Sequence, residues 1–375
     1  MSTQKYDVAA YIWPSYTGDE PRTRIFWPEG YGEWQTVKAA QSKCPRHVWP
    51  RKPLWGYVNE ADPYVMEMEI EAASSHGVNV FIYDWYWFDN RPFLEQCLDN
   101  GYLKARNNDK VKFYIMWANH VATTLWDKRT AHEDVPLWDC AASPAVFRTI
   151  CERMIDNYFL HPSYYKIDNK PVFMFHDLKN FITGIGGVEN AKKAIYDFNN
   201  MAVKAGFAGV HTQISRRNDS TAYGMLYRGA DLGFDGTVAD AVELLGIDSI
   251  THYQFKGAVE NVNRPYPDVL ADMLKIWDET RERYKAAYFP HISLGWDNNP
   301  RFIPFLDDIT TETTPENIKK GFLAAKQYID AHPELPAPLV VINSWNEWTE
   351  SSYLEPDDLN GYGYLQALKD VFLEQ

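Results

Sequence analysis

Two glutamates, Glu347 and Glu350, follow directly on a short apolar run near the C-terminal end of the sequence. The run 340–342 is β-branched and apolar, and it breaks abruptly into Asn, Ser, Trp and the two acids. This pattern predicts a buried parallel strand that ends at a polar cleft with aromatic walls. Two carboxylates at such a strand end indicate chemistry on a glycosidic bond. The alternative is that both are loop acids satisfied by a neighbouring arginine or amide.

Composition points to a neutral ligand. The 375 residues are enough for a large core, and 37 Lys+Arg against 51 Asp+Glu give a formal charge of −14. That charge disfavours nucleic acid and anionic membrane surfaces as partners. Aromatic residues make up 15% of the chain and gather in runs such as 83–88. Because flat rings beside carboxylates and amides suit sugars, we expect a carbohydrate substrate.

The sequence carries no signature of a metal site, cofactor or membrane span. Cys44, Cys97, Cys140 and Cys151 form no CxxC pair, and no His spacing resembles a zinc site. No apolar run approaches about 18 residues, and residues 1–5 lead into a strand without a signal-peptide core. We therefore expect either a cytoplasmic protein or a trimmed periplasmic or secreted one. The oligomeric state is not predicted.

Strand and helix signals alternate along the chain, which predicts βα units and a parallel sheet. Strands are expected at 8–13, 78–83, 111–117, 171–175, 209–214, 234–238, 288–294 and 339–345. Helices are expected at 63–76, 92–105, 144–159, 188–205, 223–229, 267–286, 315–332 and 363–373. Several helices open with Pro after Asp62, Ser143 or Thr314 as N-cap.

We expect residues 1–375 to form a single catalytic domain, a (β/α)8 TIM barrel with long aromatic-rich βα loops. The other reading is an open doubly wound sheet, but no GxGxxG follows the first strand.

A barrel would carry its chemistry at the C-terminal ends of its strands. Glu347 and Glu350 are expected there, opposite Trp87 and near Asn119, and the tryptophans are expected to include sugar-stacking platforms. For each candidate the alternative is a satisfied polar residue or a structural aromatic. The substrate-binding candidates at strand ends are Trp13, Asp84, Trp85, Trp87, Trp117, Asn119, His120, His176, Gln213, Trp296, Asp297 and Asn346.

A family resemblance then becomes visible. Asn346-Glu347-Trp348-Thr349-Glu350, with Leu354-Glu355-Pro356 and Gly361-Tyr362-Gly363-Tyr364-Leu365 after it, resembles the C-terminal signature of glycoside hydrolase family 99-like proteins, the WbsX group. Blocks at 32–37, 76–83, 113–119, 165–173 and 295–298 resemble the same group in the same order. The resemblance covers nearly the whole chain. It implies a (β/α)8 barrel that handles carbohydrate, and it adds Trp348 and Glu355 to the substrate-binding candidates.

The resemblance also implies a mechanism. In the true family 99 hydrolases, which are endo-acting α-mannosidases and α-mannanases, the motif reads Asn-Glu-Trp-x-Glu with a Glu-Pro beyond it. By that resemblance Glu347 would deprotonate the sugar 2-hydroxyl, so that O2 attacks C1 and gives a 1,2-anhydro sugar. Glu350 would protonate the leaving oxygen and later activate the water that opens the epoxide. Configuration would be retained.

Two departures bear on the substrate. Many relatives continue with Glu-Asn-Trp after Asn119, where this chain has His120-Val121-Ala122, and the family usually has Gly where this chain has Ser351. Some members of the group are labelled glycosyltransferases in polysaccharide biosynthesis, so transfer is an alternative function, and a non-hydrolytic carbohydrate-binding protein is a third. A transferase would need a diphosphate site, and the sequence supplies none clearly. A binding module would not need two carboxylates at one strand end.

Overall fold

The parallel strands of the chain form a barrel. The computed structural model describes residues 4–18, 20–45, 47–216, 228–229 and 234–374. The first six barrel strands are β1 (Asp7–Ile12), β2 (Val80–Phe88), β3 (Lys112–Trp117), β4 (Lys170–Phe175), β5 (His211–Arg216) and β6 (Ser249–His252). β7 consists of two pieces, Ala287–Tyr288 and His291–Ser293, and β8 is Leu339–Asn343. β2 and β8 are buried along their whole length, as expected for strands covered on both faces.

Each strand pairs in parallel with its sequence neighbours, and β1 pairs with both β2 and β8. The ring closes through β7. Its first piece pairs with β6 and its second with β8. Pro290 stands between the two pieces and has no N–H to offer, but its carbonyl accepts from Val341 N at 3.0 Å. The predicted (β/α)8 barrel is therefore confirmed.

Helices surround the barrel. They are α1 (Trp34–Lys38), α2 (Pro63–Ser75), α3 (Pro144–Arg153), α4 (Leu178–Ile185), α5 (Val188–Lys204), α6 (Val238–Leu245), α7 (Tyr266–Arg283), α8 (Pro315–Ala331) and α9 (Gly363–Phe372). Asp62, Ser143 and Thr314 accept hydrogen bonds from first-turn backbone N–H groups, with Pro at the start of each helix. The start signals read from the sequence are confirmed.

The predicted helix at 92–105 is wrong at its start. β2 continues to Phe88 and turns back into a short antiparallel strand, Arg91–Phe93. Asp89 and Asn90 make the turn with φ values of 52° and 58°, a conformation that these residue types tolerate. A π-helical turn, Cys97–Gly101, and a 3₁₀ turn, Tyr102–Lys104, follow.

The predicted sixth strand at 234–238 is also wrong. Among the described residues, Phe234–Asp235 pairs with Arg228–Gly229 in a separate two-stranded sheet. α6 begins at Val238, with Thr237 and Asp240 forming a capping box. The barrel strand is β6, whose polar sequence gives no apolar signal. The helix expected at 223–229 lies outside the described residues except for the pair 228–229.

The remaining short elements lie in loops, several of them near the barrel mouth. They are the 3₁₀ turns Pro21–Ile25, Thr124–Trp126, Asn299–Arg301 and Trp348–Glu350, the π-helical turn Met154–Phe159, and the strands Ala122–Thr123, Pro136–Trp138, Lys166–Ile167, Asn346–Glu347 and Ser352–Tyr353. Among the residues that the structure describes, no helix combines the length and apolar character needed to cross a membrane.

Candidate active site

The segment that carries the two glutamates is a tight loop at the C-terminal end of β8, residues 344–350, here called the motif loop. Ser344 Oγ donates to the carbonyl of Ser352 at 2.6 Å and accepts from Glu347 N at 2.7 Å. Asn346–Glu347 pairs with Ser352–Tyr353 in a short antiparallel ladder. The backbone of both glutamates is therefore fixed at the barrel mouth.

Ser351 ends this loop in a left-handed conformation with φ of 55°. A Cβ makes this region costly for most residues, so Gly is the usual occupant. The departure from the family pattern at this position thus falls on a residue whose backbone favours Gly. Gly295 passes close by, because a Cβ there would lie 2.7 Å from the Ser351 carbonyl oxygen.

One arginine joins the two glutamates. Arg301 donates from Nη2 to Glu347 Oε1 at 2.8 Å and from Nη1 to Glu350 Oε1 at 3.0 Å. Its Nε donates to Glu33 Oε1 at 2.8 Å. The guanidinium is buried, so one positive charge is shared by three carboxylates. Such planar, charge-assisted contacts fix the carboxylates relative to one another.

β1 and β8 are tied together beside this group. Trp13 N donates to Asn346 Oδ1 at 2.8 Å, and Asn346 Nδ2 donates to the Trp13 carbonyl at 3.0 Å. The Trp13 indole N–H donates to Glu33. Trp13 therefore presents its ring to the cleft with both its backbone and its indole held.

Burial raises the pKa of Glu347 well above its usual range, and repulsion from Glu350 adds to the effect while Arg301 opposes it. Burial also raises the pKa of Glu350, and the charge of Arg301 again opposes the rise. Glu350 Oε2 is buried without a hydrogen-bond partner among the described residues, and the nearby Gln254 amide opposes the rise in the pKa of Glu350. Two carboxyls with raised pKa beside one shared cation suit a base and an acid that work near neutral pH.

Another carboxyl, that of Asp84, lines the same cleft as Glu347 and Glu350. Asp84 Oδ2 accepts from the Tyr253 hydroxyl at 2.9 Å, while Oδ1 is buried without a partner. Burial raises the pKa of Asp84 well above its usual range, and the charge of Glu350 adds to this effect. Asp84 thus offers a hydrogen-bonding group to a ligand in the cleft.

The carboxyls face a cleft of about 560 Å³ at the C-terminal end of the barrel. Aromatic rings make much of its wall, and the volume suits a few sugar rings. Among the candidates named from the sequence, those that line it are Trp13, Asp84, His120, His176, Trp296, Glu347 and Glu350.

Three of the tryptophans predicted from strand ends, Trp85, Trp87 and Trp117, do not line the cleft, because side chains alternate along a strand. In β2, Asp84 and Tyr86 face the cleft. Trp85 lies between them and donates instead to Glu95 Oε1 at 2.7 Å. Trp87 packs on Trp85 with ring centroids 5.6 Å apart, so it does not stand opposite the two glutamates.

The same alternation applies in β3. Met116 and Ala118 line the cleft, and Trp117 stacks on Phe147 of α3 at 5.8 Å. Asn119 is buried and exchanges hydrogen bonds with the Asp177 backbone at 2.7 and 2.8 Å. It supports the loop rather than the cleft wall.

The other candidates lie beneath or behind the cleft. Gln213 is inside the barrel, where it accepts from Tyr114 at 3.0 Å and donates to Ser249 at 3.1 Å. Asp297 pairs with His47 at 2.9 Å. Asn346 and Trp348, in the motif loop, and Glu355, after it, are buried and do not line the cleft.

Several residues of the site were not found from the sequence. Arg301 lines the cleft and Glu33 is buried beside it, and no local spacing predicts that the two meet. Tyr253 follows β6, the strand that the hydropathy pattern missed. Tyr86 had a usable signal, since it stands two positions after Asp84 and so shares its face of β2.

Comparison with known proteins gives a family match along almost the entire chain. The family model described as glycosyltransferase WbsX matches residues 8–368. Proteins named WxcX, described as uncharacterized, from the Xanthomonas campestris pv. campestris strains ATCC 33913 and B100 are each 24% identical over 360 residues. The match covers 94% of this chain and 47% of each relative, so the chain spans about half the length of these curated relatives.

Solved structures share the fold. The GH99 endo-alpha-mannosidase from Bacteroides thetaiotaomicron, in complex with bis-tris-propane, has a TM-score of 0.63 at 14% identity, over 97% of this chain and 95% of that one. A structure described as a glycoside hydrolase-like protein has a TM-score of 0.60 at 16% identity, over 99% and 95% of the two chains. At these identities the likeness establishes the fold alone.

Proposed function

This chain belongs to the WbsX family, and we propose that it is a carbohydrate-active enzyme that cleaves glycosidic bonds, with Glu347 and Glu350 as its catalytic carboxylates. One observation carries the proposal. Both glutamates are held by the same buried guanidinium, at 2.8 and 3.0 Å, at an aromatic-walled cleft at the C-terminal end of the barrel. Paired carboxyls at a sugar-sized cleft are the machinery of glycoside hydrolysis.

The roles follow from the environment of each glutamate. Glu347 is only 2% exposed and is bound to Arg301 and to the Thr349 hydroxyl at 3.2 Å, so it is the better fixed of the two. As the base it removes the proton of the sugar 2-hydroxyl. O2 then attacks C1, the glycosidic C1–O bond breaks, and a 1,2-anhydro sugar forms.

Glu350 acts as the acid in the first step and as the base in the second. Its oxygen Oε2 is not bound by Arg301, so a proton there is available to the leaving oxygen. After that transfer the carboxylate takes a proton from water, which attacks C1 and opens the epoxide, while O2 recovers its proton from Glu347. Two displacements at C1 retain the configuration.

This chemistry restricts the substrate class. Backside attack requires that O2 stand trans to the leaving group, as in α-mannosides, α-rhamnosides and β-glucosides. The named activity of the GH99 structure with a TM-score of 0.63 falls within this class. Its substrate is therefore the first to try.

Glycosyl transfer is the second candidate, because the family description names a glycosyltransferase. A nucleotide-sugar donor needs cations for its diphosphate. The lysine and arginine side chains that line the described part of the cleft already have partners. Arg301 is bound by three carboxylates, Lys256 pairs with Asp308 at 2.5 Å, and Arg216 donates to Thr280 at 2.8 Å and to Tyr284 at 3.3 Å. This arrangement favours hydrolysis.

The test is product analysis with the purified protein. We expect new reducing ends from at least one member of a panel of mannans, rhamnans and β-glucans, and no such release by Glu350→Gln. Glu71→Gln, an exposed change on α2, is the matched control. Sugar incorporation from nucleotide donors without any reducing-end release would overturn the hydrolase proposal in favour of transfer.

A further inference from the structure

Behind the motif loop, three of its side chains each donate an N–H to a different buried glutamate. The pairs are Trp345 Nε1 with Glu69 Oε2 at 3.1 Å, Asn346 Nδ2 with both oxygens of Glu60 at 2.9 and 3.0 Å, and Trp348 Nε1 with Glu355 Oε2 at 2.5 Å. We call Glu60, Glu69 and Glu355 the acid cluster. All three donors lie within two residues of Glu347 in the sequence.

The acid cluster is tightly packed and short of positive charge. Carboxylate oxygens of its three members lie within 4.8 Å of one another, and none is more than 3% exposed. Among the ion pairs of the described residues none involves a member of the cluster. Among the described residues, the titratable groups that face it are the thiol of Cys97, which donates to Glu60 at 3.6 Å, and the phenols of Tyr16 and Tyr83. All three are neutral or acidic groups, and none of them supplies a cation.

Three ionised carboxylates cannot share such a site without compensation, because burial and mutual repulsion both disfavour charge. Glu69 Oε1 is buried and has no hydrogen-bond partner. A proton on this oxygen removes one charge and leaves Oε2 free to accept from Trp345. The geometry thus accommodates a neutral Glu69 without disturbing the motif loop.

We propose that the acid cluster positions the catalytic carboxylates in a proton-dependent way. While the cluster holds protons, its hydrogen bonds keep the motif loop in place. Full ionisation of the cluster displaces the loop. This inference rests on the proposed function of Glu347 and Glu350. The members of the cluster do not line the cleft, so they are positioning residues.

The direction of the pKa shifts agrees with this geometry. Burial raises the pKa of Glu60 to about 8, against hydrogen bonds from Asn346 and Cys97. Burial also raises the pKa of Glu69 and of Glu355 well above the usual range, with repulsion inside the cluster adding to both. At neutral pH the cluster therefore retains protons.

The first test does not depend on activity. Hydrogen exchange of the backbone amides of residues 344–350 is measured by mass spectrometry from pH 6 to pH 9.5 and expressed as protection factors. In the wild type we expect protection to fall about tenfold or more as the cluster ionises. Glu69→Gln keeps an acceptor for Trp345 but limits the cluster to two charges, so it should retain the protection. Glu71→Gln, the same change on the exposed face of α2, should behave as the wild type does.

The second test separates positioning from simple structural support. If the wild type cleaves a glycan, Glu69→Gln should move the alkaline limb of kcat to higher pH, whereas Glu69→Leu should lower kcat about tenfold or more with KM nearly unchanged. A wild type that cleaves nothing counts against the proposed function and leaves the exchange test intact. The inference would be overturned if the motif loop lost protection equally at high pH in the wild type, Glu69→Gln and Glu71→Gln. It would also be overturned if none of the three lost protection. Calorimetric binding of Ca²⁺ or Mg²⁺ by the wild type but not by Glu69→Gln would overturn it too, since a cation would then balance the cluster.

Discussion

The buried guanidinium of Arg301 donates a hydrogen bond of 2.8 Å to the buried carboxylate of Glu347. Removing the cation in Arg301→Met leaves Glu33 and Glu347, both buried, and the partly buried Glu350 without their shared counter-charge. We expect a loss of about 3–5 kcal/mol in the free energy of unfolding, together with loss of cleavage activity. Urea denaturation and initial rates measure the two effects.

The matched control is Arg148→Met on the exposed face of α3, where the arginine pairs with Glu152 at 3.0 Å. That change should cost less than about 1 kcal/mol. Arg301→Lys keeps the charge but cannot bridge two carboxylates in one plane. Compared with Arg301→Met, it should therefore recover more of the stability than of the activity. Equal stability of the two methionine variants would mean that Arg301 is not the counter-charge of the site.

Substitutions of Trp296 and Trp117 should have different effects, because one side chain lines the cleft and the other packs in the core. Trp296 lines the cleft, so Trp296→Ala should weaken glycan binding about tenfold or more with little change in stability. Trp117 stacks on Phe147, so Trp117→Ala should cost about 3–5 kcal/mol and leave the affinity of the folded protein unchanged. Binding calorimetry and thermal melts on both variants give the comparison. Weaker binding in Trp117→Ala alone would reverse the assignment.

Stability should fall as pH rises from about 4.5 to about 8. Glu60 has a folded-state pKa of about 8, raised by burial above its unfolded value. Glu60 therefore contributes fully to the free energy of unfolding below its unfolded-state pKa. This contribution, on the order of a few kcal/mol, is lost as pH rises through the folded-state pKa. Chemical denaturation at pH 5 and pH 8.5 tests the sign, with Glu60→Gln expected to flatten the dependence. A wild type more stable at pH 8.5 than at pH 5 would contradict it.

Ser351 should tolerate Gly and reject a β-branched residue. Its φ of 55° is costly for a residue with a Cβ. Ser351→Gly should leave the free energy of unfolding within about 1 kcal/mol of the wild type, because relief of strain offsets the added freedom of the unfolded chain. Ser351→Val should cost about 1–3 kcal/mol. Similar melting temperatures for the two variants would argue against strain at this position.

Much of the fold was predictable because most barrel strands are apolar on both faces. β6 was not, since its residues face a polar barrel interior in which Ser249 bonds His211 at 2.8 Å and Gln213 at 3.1 Å. A strand built from Ser, Thr and His carries no hydropathy signal. Predicting it required knowing what its inner face contacts.

The candidate site was predictable where chemistry and strand position coincide, as at Asp84, Glu347 and Glu350. Trp85 and Trp117 were assigned by proximity to a strand end, and the period of two sends both away from the cleft. The contact between Arg301 and Glu33 joins residues 268 positions apart, which no local spacing reveals. Folding, and not sequence proximity, brings that pair together.

The most direct test of the account compares a cleaved glycan with its 2-O-methyl counterpart, modified on the sugar whose C1–O bond breaks. Release of reducing ends is followed for both, and the anomeric configuration of the first product is read by NMR before mutarotation. We predict cleavage of the parent glycan with retained configuration, and binding without cleavage of the methylated one, because Glu347 then has no proton to remove from O2. Cleavage of both at similar rates, or inversion at C1, would contradict the role assigned to Glu347.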